Sequence, residues 1–484
     1  MNILLLSNSA PNYHHFFNAL VRLLARDGAK VAVAADSAFS REENRLDDLE
    51  FARIHEFAAF FATHRTDSEI LARYSDFALN AALLSDFERA EVYRIWGDGA
   101  DLDYFDRLKS ALLTFFEGIF EQHGTDLVIY ENVSNAFAHF ALFVAQRKNI
   151  TYCGLAGTRL PGRFQLTSDP IEDETIASDF AAIRSGQITV DEELRDWATD
   201  YIAGIETVVP DYMKINRLDH LALFGRYFRR DRLDKIVSLL RHSADSRTGN
   251  FQIGNPLRTH ANLFLRNVGR RLRSGSVRKF YQKPVQGERF LLYPLHFHPE
   301  SSTSILAGAY LDEYEVIRNI AFSLPEGVRL YVKDHVSAWA FPSLDFYRRT
   351  RRLPNVRILA PEEPTKQLIK MSAAVITLTS TVGYEALLLR KRVFLYGRVF
   401  YEFHQGVRRV ENPAALRDIL IDGLAREVDW DDAYNNDFVC AYHRATLPGT
   451  LNLMQGAEEA ARLAGHVHQQ MTGAGYFSGT RQAG

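Results

Sequence analysis

The chain has 484 residues, 46% of them hydrophobic and 24% charged, which are proportions typical of a globular protein. Because a single hydrophobic core stops growing well before this length, two domains are expected. The formal net charge of -3 excludes a global attraction to nucleic acid, and no apolar run is long enough to span a membrane.

The N-terminal half begins with the pattern of a βαβ unit, in which two short apolar strands flank a helix. The first strand has no basic flank, so we interpret it as part of the fold and not as a signal peptide. We predict strands at 2–6, 30–34, 126–130 and 150–153, and helices up to about Arg26 and within 40–122. From about 165 to 250 the pattern is weakly helical.

Open parallel sheets bind ligands beyond the carboxyl ends of their strands, so the polar residues at those ends are candidates for a site. Glu131 follows directly after the strand at 126–130. Arg159 and Arg163 lie on an irregular segment after the next strand, where they are candidates for binding an anionic group.

Residues 256–283 form a basic segment with no acidic residue, in which arginines and lysines alternate with apolar residues. One interpretation is a solvated helix and flexible linker between two domains. The other is a contact with an anionic membrane surface or a lipid-linked acceptor, since exposed basic residues are attracted to anionic lipids.

The C-terminal half alternates short apolar strands with helices, which predicts a parallel sheet covered on both faces. The predicted strands are 290–294, 328–332, 355–359, 373–377 and 392–396, and the predicted helices include 303–322, 364–371 and 383–390. The tail from Gly473 is rich in Gly, Ser, Thr and Gln and is expected to be disordered.

Three strand ends of this half carry polar side chains suited to an anionic ligand. His296, His298 and Glu300 follow the first strand, and serines and a threonine after them are candidates to cap the next helix. Lys333 and His335 follow the second strand and offer donors to a phosphate.

The clearest candidate follows the strand at 373–377. Ser380, Thr381 and Gly383 are predicted to open a helix whose N–H groups bind phosphate, and Glu385 in its first turns is suited to accept hydrogen bonds from ribose hydroxyls.

Other chemistries find no matching pattern. The sequence has no Walker phosphate loop, no Gly-x-Gly-x-x-Gly after the first strand and no Gly-x-Ser-x-Gly elbow. No set of histidine, cysteine and acidic residues has convincing ligand spacing, and Asp101-Leu102-Asp103 lies in an acidic helical stretch, so no metal site is predicted.

Four segments resemble, in order and spacing, the bacterial capsule polysaccharide biosynthesis family over roughly residues 290–412. They are Tyr293–Glu300, Leu330–His335, Thr379–Leu387 and Phe394–Tyr401. The resemblance implies a metal-independent glycosyltransferase of the GT-B type, in an α/β fold with two Rossmann-like domains facing a central cleft and extra helices in the N-terminal half. The family includes enzymes that transfer 3-deoxy-manno-octulosonic acid (Kdo) from CMP-Kdo to a lipid acceptor.

The resemblance also implies roles for the candidate residues. His335 corresponds to a histidine that meets the nucleotide phosphate, although the family's Lys-Glu-His-Pro motif has Asp334 and Val336 here. Ser380, Thr381 and Glu385 correspond to the nucleotide-binding run of the family. Together with the strand-end positions, this assigns catalysis to Glu131, His296 and His335, and nucleotide-sugar binding to His298, Glu300, Lys333, Ser380, Thr381, Gly383 and Glu385. Arg159 and Arg163 are assigned to an acidic sugar or acceptor phosphate.

The expected organisation has four parts: an acceptor-side α/β domain at 1–255, a basic connector at 256–285, a nucleotide-sugar-binding domain at 286–445, and a helix with a flexible tail at 446–484. No cofactor is expected beyond a CMP- or UDP-linked sugar substrate, and the other partner is a glycan or glycolipid acceptor. The expected location is the cytoplasm, with peripheral contact on the inner face of the membrane.

Two other functions stay open at this point. One is an epimerase-like enzyme that alters a nucleotide sugar on the same scaffold without an acceptor. The other is a non-catalytic capsule assembly or export factor that reaches the membrane through the basic connector.

Overall fold

The computed structural model describes residues 1–10, 12–97, 101–211, 233–426, 428 and 430–477. Most of the tail expected to be disordered, and part of the weakly helical stretch at 165–250, therefore lie outside the described residues. Gly473, the first residue of that tail, is the last residue of a helix.

Short strands of mostly buried residues form the framework of the molecule. They are β1 (Asn2–Ser7), β2 (Lys30–Ala35), β3 (Arg53–Glu56), β4 (Leu127–Glu131), β5 (Thr151–Gly157), β6 (Arg163–Thr167), β7 (Phe290–Pro294), β8 (Arg329–Lys333), β9 (Val356–Leu359), β10 (Ala374–Thr377), β11 (Val393–Leu395), β12 (Val407–Arg409) and β13 (Leu447–Pro448).

Helices connect and cover these strands. In the first half they are α1 (Tyr13–Arg26), α2 (Ala38–Glu43), α3 (Phe57–Thr63), α4 (Ser68–Arg73), α5 (Leu79–Leu84), α6 (Phe87–Tyr93), α7 (Leu102–His123), α8 (Ala136–Arg147), α9 (Thr175–Arg184), α10 (Glu192–Ala203) and α11 (Leu233–Arg241). In the second half they are α12 (Pro256–Val277), α13 (Ser301–Ser304), α14 (Glu313–Ser323), α15 (Leu344–Arg351), α16 (Thr365–Met371), α17 (Thr381–Leu388), α18 (Leu416–Ala425), α19 (Asp432–Arg444) and α20 (Ala457–Gly473).

The chain divides into two compact units, each with its own sheet. Among the described residues, unit 1 takes those of 1–172, 224–264 and 446–484, and unit 2 those of 173–223 and 265–445. The predicted class, α/β with two Rossmann-like sheets and extra helices in the N-terminal half, is confirmed.

Unit 1 contains a seven-stranded sheet in the order β13-β6-β5-β4-β1-β2-β3. Strands β1 to β5 pair in parallel, with Ile3 opposite both Val31 and Leu127. The central residues of β1 and β4 are buried, as expected for strands covered on both faces by helices. The strand order reverses between β1 and β4, so a crevice is expected at the carboxyl ends of these two strands.

Unit 2 contains a six-stranded sheet in the order β12-β11-β10-β7-β8-β9, and every pairing is parallel. One apolar core of this unit packs Leu291, Leu330 and Ile376 of the sheet against Ile317 and Ile320 of α14. The strand order reverses between β7 and β10, which places the expected crevice of this unit beyond Pro294 and Thr377.

The division differs from the predicted four parts. The predicted connector at 256–285 is divided between the two units after residue 264. Residues from Thr446 onwards belong to unit 1, because β13 pairs with β6 and α20 packs against α1. Helices α9 and α10 belong to unit 2, because both pack against α19. Neither contact is visible in local sequence patterns, since the paired segments are far apart in the chain.

The predicted helix at 303–322 is wrong as one element. The structure has α13, a 3-10 turn at Gly308–Tyr310, and then α14, whose N-cap is Asp312. The Asp312 carboxylate accepts the backbone N–H groups of Tyr314 and Glu315 at 2.9 and 3.2 Å, so the second helix has a start of its own.

Candidate functional site

The crevice of unit 2 brings together side chains from three neighbouring strand ends. His296 lies just beyond β7, Thr377 is the last residue of β10, and His335 lies just beyond β8. The His296 Nε2 atom is 3.2 Å from Thr377 Oγ1 and accepts the Thr379 N–H at 3.4 Å. The point where the strand order reverses is therefore bridged by a histidine.

Glu313 holds both histidines of the segment after β7. Its Oε1 accepts hydrogen bonds from the His296 N–H and Nδ1–H at 2.8 and 2.9 Å, and it is 3.2 Å from His298 Nε2. The Tyr293 hydroxyl donates to the other oxygen, Oε2. With Nδ1 donating to a carboxylate, Nε2 is the acceptor nitrogen that faces Thr377 and Thr379.

The charge of this cluster is fixed by the two histidines. Burial alone would raise the pKa of Glu313. His296 and His298, through the positive charge that each carries when protonated and through their hydrogen bonds, lower the pKa of Glu313 well below its ordinary range. Glu313 is thus an ionised carboxylate with its side chain only 11% exposed. Such a group is stable in the interior only while its donors stay in place.

The N-terminal end of α17 faces the same crevice. Ser380 is the N-cap, with its hydroxyl accepting the Val382 N–H at 3.1 Å, and Thr381 is the first helical residue. The Tyr401 hydroxyl donates to the Ser380 carbonyl at 2.7 Å. A helix start of this kind presents N–H dipoles that favour an anion.

Gly383 is required by the position of Tyr401. A Cβ atom at residue 383 would lie 2.3 Å from the Tyr401 hydroxyl oxygen, a distance that no real Cβ contact reaches. The glycine therefore lets Tyr401 approach the helix and hold the backbone at Ser380. Its role is to shape the helix start, and no contact of its own with a ligand is needed.

Glu385 lies deeper along the helix than the residues of the crevice. It is 8% exposed, and its Oε1 is 3.6 Å from Lys366 Nζ on α16. Lys366 also donates to the carbonyls of Ile205 and Val208, beyond the end of α10. The proposed contact with ribose thus concerns a carboxylate that already has a cationic neighbour.

The segment after β8 is anchored by Asp334. Its carboxylate accepts the hydroxyls of Tyr281 and Tyr347 at 2.6 and 2.7 Å and the N–H of His335 at 2.8 Å. Burial raises the pKa of Asp334 in spite of these three donors. The shorter acid in this family motif thus has three partners and fixes the backbone that carries His335.

Lys333 and His335 are placed differently. The Lys333 ammonium is buried and donates to the carbonyl of Pro361 at 3.0 Å, and burial lowers the pKa of Lys333 to about 8. His335 is half-buried, and its Nδ1 accepts the Ser337 N–H at 3.1 Å. His335 is therefore better placed than Lys333 to meet a ligand.

His298 and Glu300 continue the segment after β7. His298 is half-buried, and its carbonyl accepts a hydrogen bond from Arg266 at 2.9 Å. Glu300 is exposed and is the N-cap of α13 through its backbone, whose carbonyl accepts the hydroxyls of Thr303 and Ser304. Because α13 has four residues, it is too short to offer the anion site predicted there.

In unit 1, Glu131 lies at the corresponding crevice, between β4 and β1. It accepts hydrogen bonds from the Tyr13 and Ser134 hydroxyls, both at 2.7 Å. Burial raises the pKa of Glu131 although these donors oppose the shift. A carboxyl group with a raised pKa is suited to proton transfer near neutral pH.

Arg159 and Arg163, the arginines predicted to hold an anionic group, lie at two different places after β5. Arg163 begins β6, and its guanidinium donates to the Thr446 hydroxyl and carbonyl at 2.7 and 2.6 Å, which ties down the segment before β13. Arg159 is half-buried in the loop between β5 and β6. Of the two, Arg163 is explained by this structural contact.

No group of three histidine, cysteine or acidic side chains is arranged to hold a metal ion within the described ranges. Asp101 caps α7 by accepting the Tyr104 N–H at 3.0 Å and pairs with Arg247. None of the described helices is long and apolar enough to cross a membrane.

Sequence reasoning missed Glu313 and Tyr401, which organise the unit 2 site. Glu313 was placed inside a single long helix, although the Asp312-Glu313 pair before an apolar repeat is a helix-start signal. Tyr401 stands in a segment that carries the family resemblance, but only the space beside Gly383 shows what it does.

Comparison with protein families places this site in a known context. The family model described as capsule polysaccharide biosynthesis protein matches residues 231–418. The predicted family resemblance is confirmed. The capsule-family segment spans β7 to β12 and so contains every residue of the unit 2 crevice, from His296 to Glu385. No curated protein matches the chain.

Solved structures resemble the chain only distantly. A beta Kdo 2,4 transferase, KpsC of Thermosulfurimonas dismutans, is 15% identical with a TM-score of 0.36, covering 70% of this chain and 88% of its own. The beta Kdo 2,7 transferase KpsC of the same organism is 12% identical with a TM-score of 0.32, covering 73% of this chain and 89% of its own. UDP-GlcNAc 2-epimerase of Methanocaldococcus jannaschii, in complex with UDP-GlcNAc and UDP, is 10% identical with a TM-score of 0.30, covering 92% of this chain and 98% of its own. Likeness at this level does not define an activity.

Proposed function

We propose that this protein is a glycosyltransferase of bacterial capsule or surface polysaccharide biosynthesis. It transfers a sugar from a CMP- or UDP-linked donor to a glycan or lipid-linked acceptor without a metal ion. The observation that carries the proposal is the polar crevice at the β7–β10 reversal, which lies wholly inside the capsule-family segment. Ligands of open α/β sheets bind at such a point.

In this proposal the phosphate of the donor binds at the N-terminal end of α17 and at His335. The helix start at Ser380 and Thr381 offers backbone dipoles to an anion. His335 lies beyond the end of β8, on the other side of β7 from β10 in the same sheet. Charge that develops on the departing nucleotide phosphate is stabilised by these fixed donors, which need no reorganisation during the reaction.

His296 acts in this proposal by holding the crevice in shape. Its two ring nitrogens are used by Glu313 and by Thr377 and Thr379, so it joins the strand ends that flank the phosphate position. Glu131 of unit 1 is assigned to the proton of the acceptor hydroxyl, because burial raises the pKa of its carboxyl group.

Kdo, an acidic sugar carried by CMP, is the donor that the family resemblance favours. Calorimetric titration of the purified protein with CMP-Kdo, CMP, UDP and UDP-sugars tests donor binding and its base preference. We expect His335→Asn and Thr381→Val to weaken binding of the preferred nucleotide by at least about tenfold each, which corresponds to about 1.4 kcal/mol.

A matched control is Glu362→Gln, because Glu362 is exposed and forms a surface ion pair with Arg278. Its affinity for the nucleotide is expected to equal that of the wild type. If no nucleotide sugar binds to the wild type, the proposed function is wrong. If the bound sugar is altered in the absence of any acceptor, the protein is an epimerase-like enzyme and not a transferase.

A further inference from the structure

Helix α12 (Pro256–Val277) has an unusual distribution of residues between its two faces. Its arginines at 266, 270 and 273 point into the protein, whereas leucines on the opposite face point outwards. An ordinary amphipathic surface helix has the reverse arrangement. The outward leucines therefore need an explanation other than the core of the protein.

The inward arginines are bound to the protein backbone. Arg266 donates to the His298 carbonyl at 2.9 Å, Arg270 to the Trp339 carbonyl at 2.8 Å, and Arg273 to the Ala340 carbonyl at 3.2 Å. The guanidinium groups of Arg266 and Arg270 also lie over the Phe341 ring, 4.3 and 4.4 Å from its centroid. This face of the helix is fully occupied by contacts within unit 2.

The outward face is apolar. Leu265 is 64% exposed and Leu272 is 78% exposed, and they lie about two turns apart on one side of the helix. Large exposed side chains in a row, as opposed to scattered ones, indicate a surface that another phase or molecule covers.

The charges beside the leucines indicate which surface this is. Arg258, Arg271 and Lys279 are exposed in the same segment of the chain, and no acidic partner for them is found in the part of the chain that is described. No acidic residue occurs between 256 and 283. A second copy of this basic helix would be repelled, whereas an anionic lipid surface attracts basic residues and accepts leucines.

We propose that the outward face of α12 binds an anionic lipid bilayer, with Leu265 and Leu272 inserted between the head groups and Arg271 and Lys279 against them. This assignment differs from the one made from the sequence, where all basic residues of 256–283 were candidates. Three arginines are used inside the protein, and Arg278 and Lys283 pair with Glu362 and Glu363. Apolar side chains carry the contact, and the remaining cations select the lipid.

Flotation of the full-length protein with vesicles tests the proposal. Vesicles of phosphatidylcholine alone are compared with vesicles that also contain phosphatidylglycerol. We expect the wild type to float only with the anionic vesicles. The double variant Leu265→Gln/Leu272→Gln should lose at least about tenfold in partition coefficient, since two leucines no longer leave water. Arg271→Gln/Lys279→Gln should lose about fivefold for each charge.

Leu102→Gln is the control, because Leu102 is 73% exposed on another helix, α7, and is expected to float like the wild type. Circular dichroism and nucleotide calorimetry on the leucine variant should match the wild type, so loss of flotation is not confused with unfolding or with failure of the proposed donor site. The proposal is overturned if the wild type does not float. It is equally overturned if the leucine variant floats undiminished.

Discussion

Replacing Glu313 by glutamine tests the organisation of the unit 2 crevice most directly. The substitution keeps the size of the side chain but removes the charge, and it puts an NH₂ group next to three donors. In the wild type the Glu313 carboxylate accepts hydrogen bonds from the His296 N–H at 2.8 Å, from His296 Nδ1–H at 2.9 Å and from the Tyr293 hydroxyl. Loss of one partner from a buried charged network costs about 3 kcal/mol in the free energy of unfolding.

The pH dependence adds a sign to this prediction. The pKa of folded Glu313 lies below its ordinary value of 4.5, so its contribution to stability is fully present above pH 4.5. It is lost as the pH falls from there toward the folded pKa, because the unfolded carboxylate binds a proton first. The stability difference between the wild type and Glu313→Gln should therefore narrow below pH 4.5.

Urea denaturation at several pH values, followed by circular dichroism and tryptophan fluorescence, measures both effects. Glu315→Gln is the matched control, because Glu315 lies on the same helix with an exposed ion pair to Arg318 and should change stability by less than about 0.5 kcal/mol. A Glu313→Gln cost below about 1 kcal/mol, or a difference that does not change with pH, would refute the network described for this residue.

Three further changes test other parts of the structure. Gly383→Ala should displace Tyr401 and weaken nucleotide binding by about tenfold or more in calorimetry. The double variant Gly383→Ala/Tyr401→Phe should recover part of the lost affinity. Equal affinity of Gly383→Ala and the wild type would contradict the contact at 2.3 Å. Burial lowers the pKa of Lys333 from 10.5 to about 8, so between pH 8 and pH 10.5 the folded state binds fewer protons than the unfolded state. The wild type should therefore gain stability relative to Lys333→Met as the pH rises from 8 to 10.5, by at most about 1.4 kcal/mol per pH unit. A flat difference in urea midpoints would show that this lysine is not desolvated. Arg163→Met removes the bonds to Thr446 and should expose the segment around residue 446 to limited proteolysis, while a cleavage pattern like that of the wild type would exclude this anchoring role.

Much of the fold is predictable from local patterns, because its buried strands are short apolar runs. Strands such as Phe290–Pro294 and Ala374–Thr377 lie within about a residue of their predicted positions. The rule that ligands gather at strand ends also selected His296, Thr381 and His335 without a structure. The order of the strands in each sheet was beyond the sequence, and it is this order that brings His296 against Thr377.

The features that could not be predicted depend on the direction in which a side chain points and on contacts between residues that are far apart in the sequence. Arginines 266, 270 and 273 repeat at helical spacing, and so do the leucines, so periodicity alone cannot tell which face is buried. Lys333 follows a strand as expected, but its ammonium turns to the Pro361 carbonyl instead of the crevice. Arg163 meets Thr446, which is remote in sequence, and no local signal announces that contact.

The fit between Gly383 and Tyr401 also constrains how relatives of this chain can diverge. The tyrosine ring fills the space that any larger residue at 383 would need, so residue 383 is not free to become larger while the tyrosine stays. Sequences that keep the aromatic ring should keep the glycine, and sequences with alanine or serine at 383 should have a smaller residue at 401. Correlated substitution at these two positions among relatives would show that the tyrosine holds the helix start in place.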